Sequence, residues 1–229
     1  GIALRNQSLA GRLTYRYQYR YFLEFNFGYT GSENFAAGHR FGFFPAYSGG
    51  WNIAEESFIK DHIEWLNMLK VRFSYGKVGN DNLNTRFPYL YTISGTSGYR
   101  YADVNGGVNT YNGLYISELA SPTISWEVST KKDIGVDLSL FNDKFSLTAD
   151  YFDDRVEGIF MRRNYLPSML GLSSSPHANV GRTRNRGFDG NFKLQHKVGD
   201  VNLTVRGNAT YARNKVLEKD EENNYYSYL

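Results

Sequence analysis

Apolar and polar residues alternate over two neighbouring segments in the middle of the chain. Every second residue is apolar in residues 134–140 and again in residues 145–151, and a polar turn at residues 142–144 separates them. A period of two on both sides of a tight turn predicts a β-hairpin, which we place within residues 126–160. One face of this hairpin is apolar, and the other carries carboxylates and hydroxyls.

The same alternation recurs along the chain and predicts about eight strands in all. The other predicted strands are residues 9–17, 21–29, 41–53, 67–78, 183–197 and 201–215. The period changes to three or four over residues 54–66, which predicts a short amphipathic helix. Pro45 has no backbone N–H, so it predicts a bulge or an interrupted pair in the third strand.

The predicted connections fall into a short set and a long set. The short set is residues 18–20, 142–144 and 198–200, together with the helical segment. The long set is residues 30–40, 79–125 and 161–181. Short turns at one end and long loops at the other are typical of an outer-membrane barrel, so we predict an all-β fold, an antiparallel transmembrane β-barrel segment. A secreted glycan-binding β-sandwich stays open as an alternative, because its strands also carry one apolar face.

The alternation also predicts which side chains face lipid and which face the lumen. The predicted lipid-facing residues are Leu13, Phe25, Val71, Val136, Leu147 and Val205. The predicted lumen-facing residues are Arg12, Glu24, Arg72, Asp137, Asp150 and Arg206. A slip of one residue would place charges in hydrocarbon, at roughly 2–4 kcal/mol each near the midplane.

Composition agrees with a barrel and disagrees with a helical membrane protein. Aromatic residues make up 17% of the chain, mean hydropathy is -0.51, and no apolar run approaches the roughly 20 residues of a spanning helix. In a barrel only every second residue of a strand faces lipid and the others are polar, so a low mean hydropathy is compatible with a barrel. We expect the tyrosines around residues 15–21, with Phe141 and Phe145, to form an aromatic girdle at the membrane border.

The residues predict no enzyme, no cofactor and no bound metal. The chain has no cysteine, and its four histidines lie far apart, without the spacing of metal ligands. Adjacent carboxylates such as Asp153 and Asp154 lack the separation across a cleft that an acid–base pair needs. The Asp and Asn residues around Asp103 lack the spacing of an EF-hand calcium loop. A net charge of +3 with both signs interspersed predicts no nucleic-acid partner.

The long loop of residues 79–125 is rich in tyrosine, glycine and asparagine, with small hairpins predicted at residues 89–93 and 99–104. Long loops tend to be functional. The candidate contact residues are Tyr89, Tyr91, Tyr99, Tyr101, Tyr111 and Tyr115. Aromatic rings with polar tips suit sugar rings and protein interfaces alike, so these tyrosines are predicted to pack against other loops or a partner, or to contact sugar.

Four blocks of the sequence resemble the barrel of SusC/RagA-type TonB-dependent outer-membrane transporters. They are residues 20–56, residues 66–82, the hairpin within residues 126–160 and GFDGNFKL at residues 187–194. The resemblance implies a barrel of about 22 strands with a plugged lumen in the outer membrane of a Gram-negative, Bacteroides-like cell. It also implies import of oligosaccharides (glycans), with peptides as the nearest rival cargo. The implied partners are a SusD-like surface lipoprotein, the TonB complex and outer-membrane lipid.

We expect residues 1–229 to form part of one β-barrel domain. The sequence shows no signal peptide, no plug domain and no TonB-contacting segment, so we interpret it as an internal piece of a longer protein. A non-transporting, adhesin-like surface barrel therefore also stays open, because a plug and a TonB-contacting segment would be the features that separate it from a transporter.

Overall fold

The computed structural model describes residue 3, residues 5–163 and residues 175–220, and most of these residues lie in β-strands. The strands are β1 (Asn6–Tyr17), β2 (Tyr21–Ser32), β3 (Phe41–Asn52), β4 (Leu66–Asn80), β5 (Thr92–Ala102), β6 (Val108–Glu118), β7 (Glu127–Leu140), β8 (Phe145–Arg162), β9 (His177–Val198) and β10 (Val201–Glu218). A 3₁₀ turn at Ile53–Glu55 and the helix α1 at Ser57–Lys60 join β3 to β4. No helix in the described ranges is long and apolar enough to span a lipid bilayer.

Eight strands form one antiparallel sheet in the order β1-β2-β3-β4-β7-β8-β9-β10, and β5 pairs with β6 in a separate hairpin. The connections after β1, β3, β7 and β9 therefore lie at one end, the turn end. Those after β2, β4 and β8 lie at the opposite end, the loop end. The predicted sorting of the connections is confirmed. Among the described strands β1 and β10 have one neighbour each, so the sheet is an open part of a barrel.

The pairing register divides the sheet into two faces, because side chains of directly opposite residues lie on the same side. One row across the sheet joins Val71, Val136, Ala149, Gly190 and Ala209. The adjacent row, on the other side, joins Lys70, Asp137, Thr148, Asn191 and Asn208. We call these sides the apolar face and the polar face. The residues assigned to lipid and lumen from the sequence fall on the apolar and polar faces respectively, so the predicted alternation is confirmed.

The predicted helix over residues 54–66 is wrong in length. Glu56 interrupts it, because its carboxylate accepts hydrogen bonds from Tyr21 Oη at 2.7 Å and Trp51 Nε1 at 3.0 Å. These bonds fasten the segment to the end of the sheet, and the helical turn that follows, α1, has only four residues. Apolar spacing alone does not sustain a helix this short without further packing.

The predicted small hairpins at residues 89–93 and 99–104 are also wrong, since one longer hairpin, β5–β6, replaces them. A register shift between Thr96 and Tyr99 breaks the alternation, and Gly98 in this bulge has a φ of +57°. A bulge adds an unpaired residue and inverts the pattern beyond it, which is why period two is lost there.

Three strands extend further into the predicted loops than the sequence pattern indicates. β2 continues to Ser32, β8 to Arg162, and β9 begins at His177. Residues 164–174 of the predicted loop 161–181 lie outside the described residues. Pro45 pairs in regular register with Phe27, so no bulge forms there, but pairing of β3 with β4 begins only at Ala46.

A small hydrophobic core closes the loop end where β3 and β4 separate. Phe35, Leu83, Ile124 and Trp126 are buried together, and Phe44 packs against them. The rings of Phe35 and Trp126 lie 5.1 Å apart, and the indole Nε1 of Trp126 donates to the carbonyl of Arg40 at 3.2 Å. Three connecting segments from different parts of the chain therefore meet at one buried cluster.

Aromatic side chains gather at the turn end, where the sequence predicts them. Tyr15, Tyr17 and Tyr19 are exposed there, and Trp65 stacks on Phe141 with ring centres 5.8 Å apart. Amphipathic rings at this level suit the border between hydrocarbon and headgroups.

Candidate solute-facing surface and loop hairpin

The centre of the polar face is an ion-pair network around Arg72 on β4. Its guanidinium donates to Asp137 on β7 at 2.8 Å and 3.2 Å, and to Asp150 on β8 at 2.8 Å. The three residues come together because Arg72 and Asp150 both pair with Gly135, which leaves room for the guanidinium. A Cβ on Gly135 would clash with Asp150 Oδ1 and lie 2.8 Å from Arg72 Nη2, so any larger residue would require these two side chains to shift. The network joins three adjacent strands on the face that the sequence assigns to the lumen.

A second polar group lies on β1 and β2. Arg12 forms an ion pair with Glu24 at 2.5 Å, and Asn26 donates to the other oxygen of Glu24 at 2.7 Å. Lys70 on β4 lies over the ring of Phe22, with its ammonium 4.3 Å from the ring centre. The cation therefore interacts with the electron-rich face of the ring.

A shallow hollow of about 360 Å³ lies between the two groups, bordered by Glu24, Ser48, Lys70, Arg72 and Asp133 among others. Its border combines charges of both signs with a hydroxyl. Such a surface retains water and offers hydrogen bonds to a polar solute or to a polar plug. It holds no serine, cysteine or histidine arrangement for covalent chemistry.

The tyrosines predicted to make contacts fall into two groups. Tyr99, Tyr101, Tyr111 and Tyr115 lie on one face of the β5–β6 hairpin, because Tyr99 pairs with Tyr111 and the others lie two or four residues away. The rings of Tyr99, Tyr101 and Tyr111 form a stack with centre distances of 6.3 Å and 5.7 Å. A hydrogen bond with Tyr111 raises the pKa of the Tyr101 hydroxyl.

This tyrosine stack is open to solvent. Tyr99 is 72% exposed and Tyr111 is 63% exposed, although large aromatic rings are usually covered in a folded protein. Tyr89 and Tyr91 precede the hairpin and do not join the stack: Tyr89 packs edge-on against Phe87, and Tyr91 is exposed. The structure thus brings four of the predicted residues together and leaves two apart.

The tip of the hairpin is a hydrogen-bonded turn around Asp103. One carboxylate oxygen accepts backbone N–H groups of Asn105 and Gly107, both at 2.8 Å. These bonds, led by the one from Gly107, lower the pKa of Asp103. Its oxygens therefore stabilise the turn, and across the described residues no group of three His, Asp or Glu side chains is arranged to hold a metal ion.

The hairpin is attached to the sheet through charged and polar contacts at its base. Arg162 at the end of β8 forms an ion pair with Glu118 at 3.5 Å, and Asn179 on β9 donates to the carbonyl of Ser125 at 3.0 Å. The backbone N–H of Ser121 donates to the carbonyl of Pro88 at 2.8 Å and closes the base of the hairpin. Sequence reasoning missed these contacts and the Trp126 core beside them. The only available signal was the return of apolar residues at Ile124 and Trp126 after a long polar loop.

An open antiparallel sheet with one apolar face, one ion-paired polar face and loops sorted to one end defines a segment of an outer-membrane β-barrel. Residues 4–228 match the family described as TonB dependent receptor-like, beta-barrel. The chain belongs to this family, and the proteins it is similar to include a SusC protein and a RagAB structure.

Two curated relatives illustrate the similarity. TonB-dependent receptor P3 of Formosa agariphila is 30% identical over 208 residues, which cover 91% of this chain and 20% of that protein. TonB-dependent receptor SusC of Bacteroides thetaiotaomicron is 26% identical over 230 residues, covering 96% of this chain and 22% of that protein. The chain thus spans about a fifth of the length of these relatives.

A solved structure shows the same fold. The structure of the RagAB peptide importer in the "closed-closed" state superimposes with a TM-score of 0.76 at 22% identity, covering 94% of this chain and 22% of that chain. The predicted fold class is confirmed.

Proposed function

We propose that the protein containing this chain imports oligosaccharides across the outer membrane, with energy delivered through the TonB complex. In this proposal it is the channel-forming partner of a SusD-like surface lipoprotein. The observation that carries the proposal is the combination of the family match over residues 4–228 with a polar, ion-paired face on the same sheet.

The polar face suits a water-filled passage. Arg72 offsets part of the charge of Asp137 and Asp150 in short contacts, and Lys70 lies opposite Asp137 on the same face, so the solute meets charges of both signs. Hydroxyl and amide groups such as Ser48, Thr148 and Asn191 lie on the same face. A neutral, hydroxyl-rich solute can exchange its water for these groups at little cost, because each lost hydrogen bond has a replacement.

The tyrosine stack on the loop hairpin is the proposed contact surface beyond the barrel. We rank the lipoprotein partner first, since exposed tyrosines are enriched where protein surfaces are buried on association. Contact with sugar rings is the second role, because the faces of the exposed rings fit apolar sugar faces. Tyr89 and Tyr91 belong to this surface only if partner binding reaches the base of the hairpin.

Peptide import is the second candidate function. The similar RagAB structure is described as a peptide importer. The mixed charges of the polar face, such as Arg12 with Glu24, would also serve a peptide with charged ends.

Deleting the parent gene and measuring growth on single glycans and on peptides tests both functions. Oligosaccharide import predicts loss of growth on at least one glycan and normal growth on peptides. Normal growth on every glycan with loss on peptides only would contradict the glycan proposal and support peptide import.

A reintroduced double variant, Tyr99→Ser with Tyr111→Ser, tests the hairpin surface. We expect uptake at low substrate concentration to fall roughly three- to tenfold, because two exposed aromatic contacts are lost. The matched control is Leu114→Ser, which changes a residue that is 79% exposed on the opposite face of the same hairpin. Equal uptake by the tyrosine variant and the wild type would exclude the tyrosine surface from function.

A further inference from the structure

The apolar face does not remain apolar up to the loop end of β7–β10. Its last wholly uncharged row joins Phe73, Ile134, Tyr151, Phe188 and Tyr211. The next row joins Tyr75, Lys132, Asp153, Arg186 and Arg213, and the row after it joins Lys77, Thr130, Arg155, Arg184 and Lys215. A band of aromatic and aliphatic side chains is therefore followed directly by a band of cations on the same face.

The position of these cations matches the headgroup level of a membrane. On β10 the uncharged residues of the apolar face run from Val201 to Tyr211, ten residues apart. At about 3.3 Å per residue this is roughly 33 Å along the strand, or about 25 Å of membrane height at a tilt near 40°. That height equals the apolar band of an outer-membrane barrel, so Tyr211 lies at the interface and Arg213 and Lys215 lie just beyond it.

Several of these cations have no carboxylate partner. Arg184 binds Asp153 through two of its guanidinium nitrogens, Nε and Nη2, and Arg155 forms a long pair with Glu157 at 3.9 Å. Lys77, Lys132, Arg186, Arg213 and Lys215 form no ion pair with any carboxylate of the described residues. We call these five residues together with Arg184 the basic belt.

The belt contains a hollow of suitable size and charge between β9 and β10. The hollow measures about 260 Å³ and is lined by Arg184, Arg186, Arg213, Lys215 and Leu217, with no carboxylate among them. A neighbouring hollow of about 320 Å³ shares Arg184. Planar guanidinium groups bind phosphate oxygens in pairs, and several cations close together without carboxylate partners favour a bound anion.

We propose that this hollow binds the phosphate of a lipid headgroup in the outer leaflet of the outer membrane. The occupant is a lipid because the hollow lies on the face that contacts hydrocarbon, one row above the membrane-spanning residues. The headgroup phosphate contacts Arg186, Arg213 and Lys215, and Phe188 and Tyr211 in the adjacent row on the membrane side contact the adjoining apolar part of the lipid. Basic residues at a membrane surface attract anionic lipids, each one strengthening the attraction.

The proposal does not depend on the cargo, since it rests only on the family membership and on the geometry of the outer surface. A region of the same face on β1–β3 lacks these charges: its last two rows at the loop end join Leu9, Tyr29 and Phe43, and then Gln7, Gly31 and Phe41. The lipid-binding surface is thus restricted to the β7–β10 side of the sheet.

The test uses the full-length parent protein, purified in uncharged detergent, with phosphorylated lipid A as the probe. Native mass spectrometry counts the lipid retained by the wild type and by the triple variant Arg186→Gln, Arg213→Gln, Lys215→Gln. Because these three cations make no ion pair in the described residues, the variant is expected to fold, which heat-modified migration on gels verifies. We expect its lipid affinity to fall roughly tenfold to a hundredfold.

The matched control removes three cations from the polar face of the same strands: Lys193→Gln, Lys197→Gln and Arg206→Gln. It has the same net charge as the belt variant, and it should keep wild-type affinity for lipid A. Equal loss in both triple variants would show a general charge effect and overturn the proposal. So would equal retention of dephosphorylated lipid A by the wild type, or full competition by inorganic phosphate, which would indicate a site for a free anion. If the triple variant misfolds, the single variant Arg213→Gln replaces it in the same measurement. Unchanged affinity of that variant for lipid A would also contradict the proposed phosphate site.

Discussion

The two faces of the main sheet are made by the same strands, yet charged residues occupy different positions and have different partners on each face. On the polar face, Arg72 lies near the middle of β4 and within 3.2 Å of the carboxylates of Asp137 and Asp150. On the apolar face, strand β10 is uncharged from Val201 to Tyr211, and cations without partners follow at its loop end. A charge inside the barrel has water and partners, whereas a charge on the outer side is tolerated only where headgroups begin. Whether a charged residue is tolerated therefore depends on its position along the strand as much as on the face on which it lies.

The largest expected effect comes from placing a charge at mid-height on each face of β10. Val205→Arg puts a guanidinium on the apolar face near the middle of the uncharged segment, at an expected cost of about 2–4 kcal/mol. Thr204→Arg, the adjacent residue on the polar face, should cost less than about 1 kcal/mol. Urea unfolding of the full-length protein in lipid vesicles measures both, and equal costs would contradict the assignment of the faces.

Removing a charge from the polar-face network should have the next largest effect. Arg72→Ala leaves Asp137 and Asp150 without their shared cation in a partly buried position, so we expect a loss of roughly 1–3 kcal/mol. Arg12→Ala is the matched control, because Arg12 is 65% exposed in its pair with Glu24, and an exposed pair contributes about 0–1 kcal/mol. Adding Asp150→Asn to Arg72→Ala should recover part of the loss. No recovery would show that the arginine stabilises the sheet by packing rather than by charge.

The smallest effect concerns Glu56, the carboxylate that binds the polar tips of two apolar-face rings. Hydrogen bonds, first from Tyr21 and then from Trp51, lower its pKa. The unfolded chain binds a proton more readily, so this stabilisation is complete above the unfolded pKa and is lost as pH falls through the lower folded value. The protection of residues 53–60 against hydrogen exchange, relative to the intrinsic exchange rate at each pH, should therefore be constant above about pH 5 and decrease below about pH 4. Glu56→Gln should remove this pH dependence, and an identical profile in wild type and variant would exclude Glu56 as its cause.

The sequence by itself determined the strand pattern, the two faces and the end to which each connection belongs. These properties depend on local alternation and on turn length, and they hold wherever the strand repeats its period of two. Leu13, Val71 and Arg72 could be assigned to their faces without coordinates for this reason. The resemblance to SusC/RagA barrels could likewise be recognised from the sequence, because it lies in blocks of consecutive residues.

Only the tertiary structure decided which residues from distant strands come together. The Arg72 network joins β4 to β7 and β8 across the long loop of residues 79–125, and the loop core joins Phe35 to Trp126. The bulge near Gly98 hid the tyrosine face of the hairpin, because one extra residue inverts the pattern. The basic belt includes Lys77, Arg184 and Lys215 on three different strands, and only the pairing register places them in one row. Periodicity fixes a side chain's face within one strand, whereas its neighbours across the sheet depend on register, which is set by contacts between segments far apart in the chain.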